Sequence, residues 1–163
     1  LEGVKPKSYY LDLYKQYRNL EDKNQTRFTP PVQTIYAMQA ALAELMTEGL
    51  NNRISRYEHN WLILKKGLAR IGFKFLLDSV DESKILLTII EPTDSNFSFT
   101  KLHDLLFLEG FTIYPGKVLD EKTFRLSILG DLTHEDIDNF VNQVENTLVK
   151  MLVKVKPMDY SLR

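Results

Sequence analysis

Arg125 is the side chain in this sequence best placed to do chemistry. Phe124, Leu126 and Ile128 alternate with Arg125 and Ser127. A strand through this stretch therefore puts the arginine and the serine together, on the face opposite the one that packs. A guanidinium offers a planar fork of donors that matches a carboxylate or phosphate in bidentate fashion, so the functional reading is an anionic substrate. The alternative is a salt bridge to a nearby acid or a solvated edge-strand arginine, and spacing alone favours it. Thr29, just ahead of Pro30 and Pro31, carries a hydroxyl that can donate to a phosphate. A polar residue in an extended linker is the simpler account.

The other candidates are weaker. Tyr114-Pro115-Gly116-Lys117 has a single glycine and a proline where a phosphate loop requires a nest of amides. It reads instead as a turn between antiparallel strands, with Pro115 and Gly116 supplying the bend. Lys117 as a Schiff-base lysine would have to be dry, and the neighbouring Asp120, Glu121 and Lys122 make that turn wet. His59, His103 and His134 form no metal-type spacing, and each reads as a surface residue within or at the start of a helix. Arg53 and Arg56, beside Tyr57, read as packing stems and salt-bridge partners. Trp61 belongs to a core or an interface.

Composition bounds the rest. A chain of 163 residues, 44% hydrophobic, suffices for one ordinary core or for one domain with appended arms. The net charge of −1, with acids and bases interspersed, argues against a nucleic-acid surface, a membrane-surface helix or a polyanionic partner. The absence of cysteine excludes disulfides, thiolate metal sites and a cysteine nucleophile, and agrees with a cytoplasmic protein. The chain begins Leu1-Glu2-Gly3-Val4 without a methionine, which suggests a fragment or a processed product.

These residues must be positioned by a definite set of elements. Tyr9, Tyr10, Leu13, Tyr14 and Tyr17 fall at roughly helical spacing and predict a helix with one sticky face, directed at another part of a larger protein or another subunit. A charged connector and the extended Phe28 to Pro31 run follow. Ile35, Met38, Leu42, Leu45 and Met46 predict a helix ended by Gly49; Ile54, Tyr57, Trp61, Leu64, Leu68 and Ile71 predict another, capped by Gly72. Phe73 to Leu77 and Lys84 to Ile90 read as strands. Ser98 or Thr100 caps a helix that stops at Gly110, and the stretch from Gly110 to Leu132 reads as strand, turn and strand. Thr133-x-x-Asp136 opens a last helix that runs toward Pro157, before a basic, frayed tail from Lys154. Strands clustered with helices on one face make an α+β sandwich.

Taken together, certain residues resemble a known family. Arg27-Phe28-Thr29-Pro30-Pro31 and the helix after it, Glu48-Gly49, Arg53 and Arg56-Tyr57, Gly72-Phe73, Ser83-x-Ile85, Pro92, Gly110-Phe111, Tyr114-Pro115-Gly116-Lys117 and Phe124-Arg125 resemble the C-terminal part of 2-aminoethylphosphonate–pyruvate transaminases. These are pyridoxal-phosphate enzymes of aminotransferase class V, which move an amino group from 2-aminoethylphosphonate to pyruvate and give phosphonoacetaldehyde and alanine. The resemblance implies a small antiparallel or mixed sheet of about four strands covered on one face by helices, as in the C-terminal domain of fold-type I transferases. Residues 1–30 would be a remnant and connecting arm of the large cofactor-binding domain, 31–156 the small domain, and 157–163 a tail.

The family's substrate-carboxylate arginine falls on Arg125. Its threonine that binds the phosphate of the neighbouring subunit's pyridoxal 5'-phosphate falls on Thr29, which implies a homodimer. The Schiff-base lysine would lie just upstream of Leu1, so this chain alone is expected to be inactive, with no catalytic residue of its own and no metal. Ser127-Ile128 and Lys84 depart from the family's Gly-Asn and proline at those positions. Two readings stand beside this one: a class V aminotransferase for alanine or serine, and a non-enzymatic α+β module in which Arg125 binds an effector or holds a salt bridge.

Overall fold

A computed structural model of the protein describes residues 1–78, 80–116 and 122–155. Lys117 and the tail 157–163 lie outside the described residues. The chain forms two compact units, Leu1–Glu48 and a second that begins at Gly49.

The first unit holds α1 (Leu13–Lys23) and α2 (Val32–Glu48). The sequence spacing starts a helix at Tyr9, but α1 begins only after Asp12, whose carboxylate accepts the Lys15 N–H at 3.0 Å and sets the N-terminus. Tyr9 and Tyr10 precede the helix and pack on Phe28 instead, Tyr10 stacked at 4.8 Å between ring centroids. Asn24, at φ 56, ends α1 and returns its N–H to the Leu20 carbonyl. Neither α1 nor α2 has a buried residue, and Ile35, Tyr36, Met38, Leu42 and Met46 of α2 are exposed. An apolar helix face of this extent ordinarily has something packed on it.

The second unit is an α+β sandwich. Its helices are α3 (Leu50–Ile71), α4 (Phe99–Leu108) and α5 (His134–Lys150); its strands are β1 (Lys74–Phe75), β2 (Leu86–Ile90), β3 (Tyr114–Pro115) and β4 (Thr123–Ser127). The four strands pair antiparallel in the order β1-β2-β4-β3. Leu87 and Ile89 of β2 and Phe124 and Leu126 of β4 turn inward, where they join Leu64, Leu68 and Ile71 of α3, Leu102 and Leu106 of α4, and Ile137, Val141, Val144 and Leu148 of α5. Each such aliphatic residue, cut back to alanine, typically costs about 2–5 kcal/mol. At Gly67 α3 comes close to α5: a Cβ there would lie 2.7 Å from Val141 Cγ1.

Local signals account for the helix ends. Thr133 and Asp136 form a reciprocal capping box at the start of α5, and Ser98, not Thr100, caps α4 through the Lys101 N–H. Gly72, at φ 113, closes α3 while the Phe73 N–H reaches the Leu68 carbonyl, an arrangement that needs the left-handed region.

Two strand expectations require correction. β2 begins only at Leu86, with the Ile85 carbonyl still accepting the Ile128 N–H at 3.1 Å, because Lys84 sits at φ 58, a left-handed value that breaks an extended strand and is closed to proline. Pro115 and Gly116 are not the bend. Tyr114 pairs with Arg125 and Pro115 with Phe124, and the Gly116 N–H still donates to the Thr123 carbonyl at 2.8 Å. Glycine is required there by proximity, since a Cβ would meet Thr123 Oγ1 at 2.3 Å and its carbonyl oxygen at 2.6 Å. Pro115 is tolerated because β3 is an edge strand.

Candidate functional site

Arg125 is held from below and from both sides. Its neighbours Phe124 and Leu126 are buried in the core, so the strand cannot rotate, and the alternation sends Arg125 and Ser127 to the open face as the sequence pattern requires. Across the ladder Arg125 stands opposite Thr88 on β2 and Tyr114 on β3. Its guanidinium is exposed, and among the described residues it has no hydrogen-bond or ion-pair partner. The salt-bridge account thus finds no carboxylate among the described residues, and the forked donor set is available to an anion.

Ser127 does different work. Its hydroxyl donates to the Ile85 carbonyl and accepts the Leu129 N–H, both at 3.2 Å, which ties the end of β4 to the strand beside it. Beyond it, α3 fastens the connection to α5. Arg56 Nη1 donates to the carbonyls of Gly130 at 2.9 Å and Leu132 at 3.3 Å, and Asn60 Nδ2 donates to the Leu132 carbonyl at 2.8 Å. Arg56 also lies over the Tyr57 ring at 5.0 Å. The sequence reading placed Arg56 in packing but passed over Asn60, which is 1% exposed. A mid-helix asparagine beside Trp61 on the apolar seam was the available signal, since a buried amide must find partners.

A cleft of about 230 Å³ opens beside this strand, lined by Thr112, Tyr114, Arg125, Ser127, Asp136 and Phe140 among others. Its two charged residues are a cation with no partner among the described residues and a carboxylate already engaged. Asp136 accepts the Thr133 N–H and hydroxyl, each at 2.8 Å, and these bonds, the backbone one foremost, hold its carboxyl below the ordinary range.

Thr29 belongs to the first unit. It is exposed and lines a second cleft of about 230 Å³ with Tyr10, Arg27, Phe28, Pro30 and Ile35. Pro30 and Pro31 fix the backbone after it, and the Val32 N–H closes a turn onto the Pro30 carbonyl at 2.9 Å. The histidines have local company: His59 and His134 meet edge to face at 6.1 Å, and His103 stacks on Phe107 at 6.1 Å. Among the described residues no three acidic or histidine side chains cluster as metal ligands would, and no helix is long and apolar enough to cross a membrane.

No protein-family model matches the chain. The 2-aminoethylphosphonate–pyruvate transaminase 2 of a Polaromonas species is 34% identical over 154 residues, 93% of this chain and 41% of that protein. The 2-aminoethylphosphonate–pyruvate transaminase of Bacillus thuringiensis is 38% identical over 145 residues, 88% of this chain and 40% of that protein. Among solved structures, the alanine–glyoxylate aminotransferase of a Nostoc species superposes with a TM-score of 0.77 at 23% identity, over 90% of this chain and 39% of that one. The fold is that of an aminotransferase domain. Within that class the chain is homologous to part of the 2-aminoethylphosphonate–pyruvate transaminases. It spans about 40% of the length of the relatives it matches.

Proposed function

We propose that this chain is the small-domain portion, with its connecting arm, of a cytoplasmic homodimeric transaminase that moves the amino group of 2-aminoethylphosphonate to pyruvate, giving phosphonoacetaldehyde and alanine. The observation that carries the reading is the exposed guanidinium of Arg125, fixed in a strand and without a described partner. A keto acid or amino acid carboxylate suits that fork, and holding it orients the reacting carbon without any chemistry by the arginine itself. The names of the relatives support the donor and acceptor.

Pyridoxal phosphate, when bound, supplies the electron sink on which an amino group and a proton are exchanged between two carbon skeletons. The residues present fit its phosphate end. The Thr29 hydroxyl is exposed, lines a cleft and stands on a backbone stiffened by prolines, so it can donate to a phosphate oxygen of the cofactor held by the neighbouring subunit. The anchoring lysine is assigned to the part of the enzyme outside this chain, as is the acid that pairs with the cofactor ring. The exposed apolar face of α2 agrees with a surface that packs on the rest of the enzyme or its twin.

The test is to assay the full-length protein with 2-aminoethylphosphonate, alanine and serine as donors to pyruvate or glyoxylate. Alanine formed from 2-aminoethylphosphonate and pyruvate, faster than any other pair, is the expected outcome. No turnover of the phosphonate by a cofactor-loaded enzyme would sink the reading. The purified chain alone, mixed with pyridoxal phosphate and borohydride, should retain no cofactor adduct and show no turnover.

A further inference from the structure

We propose that Arg27 is a positioning residue for Thr29: it holds the hydroxyl-bearing segment in a clamp of aromatic rings and a carboxylate, and does not itself touch the anion. The inference rests on the reading of Thr29 as a phosphate contact.

The clamp is built within the first unit. The Arg27 guanidinium carbon lies 4.4 Å from the centroid of the Tyr9 ring and 5.0 Å from that of Phe28. Tyr10 covers Phe28 with a stacked ring at 4.8 Å. Asp12 Oδ2 stands 4.0 Å from Arg27 Nη1, with the two side chains 7% and 12% exposed respectively. Asp12 is itself immobilised, since its other oxygen accepts the Lys15 N–H that begins α1. One arginine therefore joins the segment before α1, the first turn of α1 and the residue directly ahead of Thr29.

This geometry favours positioning over contact. A guanidinium that binds phosphate must present its fork to the cleft. Arg27 lines the cleft beside Thr29 but presents its plane to two rings, and its Nη1 is shut off from solvent, 4.0 Å from Asp12 Oδ2 and without a hydrogen-bond partner among the described residues. A buried donor without a hydrogen bond is unfavourable, and the Asp12 carboxylate beside it offsets part of that cost. What the clamp fixes is the approach to Thr29. Pro30 and Pro31 restrict the backbone on one side of it, and the Arg27–Phe28 stack restricts the other. A hydroxyl ordered in advance loses less freedom when the phosphate arrives, so binding is tighter without an added contact.

The experiment is a titration of the full-length apoenzyme with pyridoxal phosphate, followed by the cofactor's absorbance, in wild type, Arg27→Met, Arg27→Lys, Thr29→Val and the Arg27→Met/Thr29→Val double variant. Arg27→Met should raise the cofactor Kd ~10-fold. Arg27→Lys keeps the charge toward Asp12 but loses the flat plane; it is expected to fold normally and to raise Kd by a few-fold. The double variant should bind no more weakly than Thr29→Val, because Arg27 acts through that hydroxyl. The KM for pyruvate should not move. Losses that multiply in the double variant would overturn the proposal in favour of a direct contact, and an unchanged Kd in both Arg27 variants would overturn it outright. If Thr29→Val alone leaves Kd unchanged, the phosphate reading of Thr29 is wrong and the clamp proposal goes with it.

Discussion

Arg125 and Tyr114 stand directly opposite each other on β4 and β3, at one of the two positions where the edge strand pairs among the described residues. Both are exposed, and the pairing places a phenol beside the guanidinium on the open face, next to the cleft. If Arg125 holds the substrate carboxylate as proposed, replacing it with methionine in the full-length enzyme takes away a charge-assisted, bidentate contact. It should raise the KM for pyruvate ~10–100-fold with a smaller effect on cofactor binding. Arg125→Lys should recover only part of this, because an ammonium cannot reproduce the fork. Since the side chain has no described partner, the urea midpoint of the chain should stay within about 0.5 kcal/mol of wild type. A large loss of stability with an unchanged KM would show the arginine to be structural.

Lys65 and Glu82 make a different kind of contact. They form an ion pair that is 3% exposed on each side, and the Lys65 ammonium also lies 4.8 Å from the Trp61 ring centroid. The pair fastens the segment between β1 and β2 onto α3. Removing one partner takes the paired counter-charge from a buried group, so Glu82→Ala should destabilise the chain by roughly 3–5 kcal/mol in urea unfolding. Lys65→Met combined with Glu82→Leu should cost much less than the two single changes summed, since neither charge is then stranded. Additive losses would mean that solvent reaches the pair.

Acid should weaken the fold in a defined way. Asp136 is held below the ordinary range chiefly by the Thr133 N–H, and Asp94 chiefly by the Asn96 N–H at 2.8 Å and then by the Lys154 N–H at 3.0 Å. A carboxyl whose folded pKa is depressed contributes fully above its unfolded value, near pH ~4, and the contribution disappears as pH falls through the folded value. Urea midpoints should therefore be flat from pH ~7 to ~5 and decline below pH ~4. Asp136→Asn and Asp94→Asn should start lower and decline less steeply. Variants that follow the wild-type slope would place the acid sensitivity elsewhere.

What could be read from the sequence was local. Thr133 with Asp136, Gly72 after Ile71, and the alternation around Arg125 each act within one turn or one strand, so residue type and spacing specify them. The rest depends on contacts between residues far apart in the chain. Asn60 and Arg56 reach the carbonyls that follow β4, 72 and 74 positions on. Glu82 finds Lys65 only because the segment after β1 folds back over α3. Gly116 looked like a turn glycine, yet what requires it is the backbone of Thr123. Tyr9 had helical spacing, but Asp12 offered a stronger start signal and an aromatic partner, Phe28, lay elsewhere. The chemistry of Arg125 marked it as a candidate anion ligand; that no described carboxylate pairs with it is a property of the fold.

Gly67 and Val141 give a test in which two principles oppose each other. Gly67 lies inside α3, where alanine is favoured over glycine by about 1 kcal/mol. Propensity alone thus predicts that Gly67→Ala stabilises the chain. Against it, the new Cβ would stand 2.7 Å from Val141 Cγ1, 2.9 Å from Cγ2 and 3.3 Å from Cβ. Valine in a helix has essentially one χ1 rotamer, so its methyl groups cannot swing aside, and Val141 is packed in the core on α5. Overpacking of this kind costs about 1–3 kcal/mol, which exceeds the propensity gain through most of its range. Gly67→Ala should therefore lower the urea midpoint. Val141→Ala should also destabilise on its own, through the space it leaves. Together the two should cost clearly less than their sum, because the alanine methyl at 67 fills part of the volume vacated at 141. A stabilised Gly67→Ala single variant would mean that α3 and α5 sit farther apart than the structure places them.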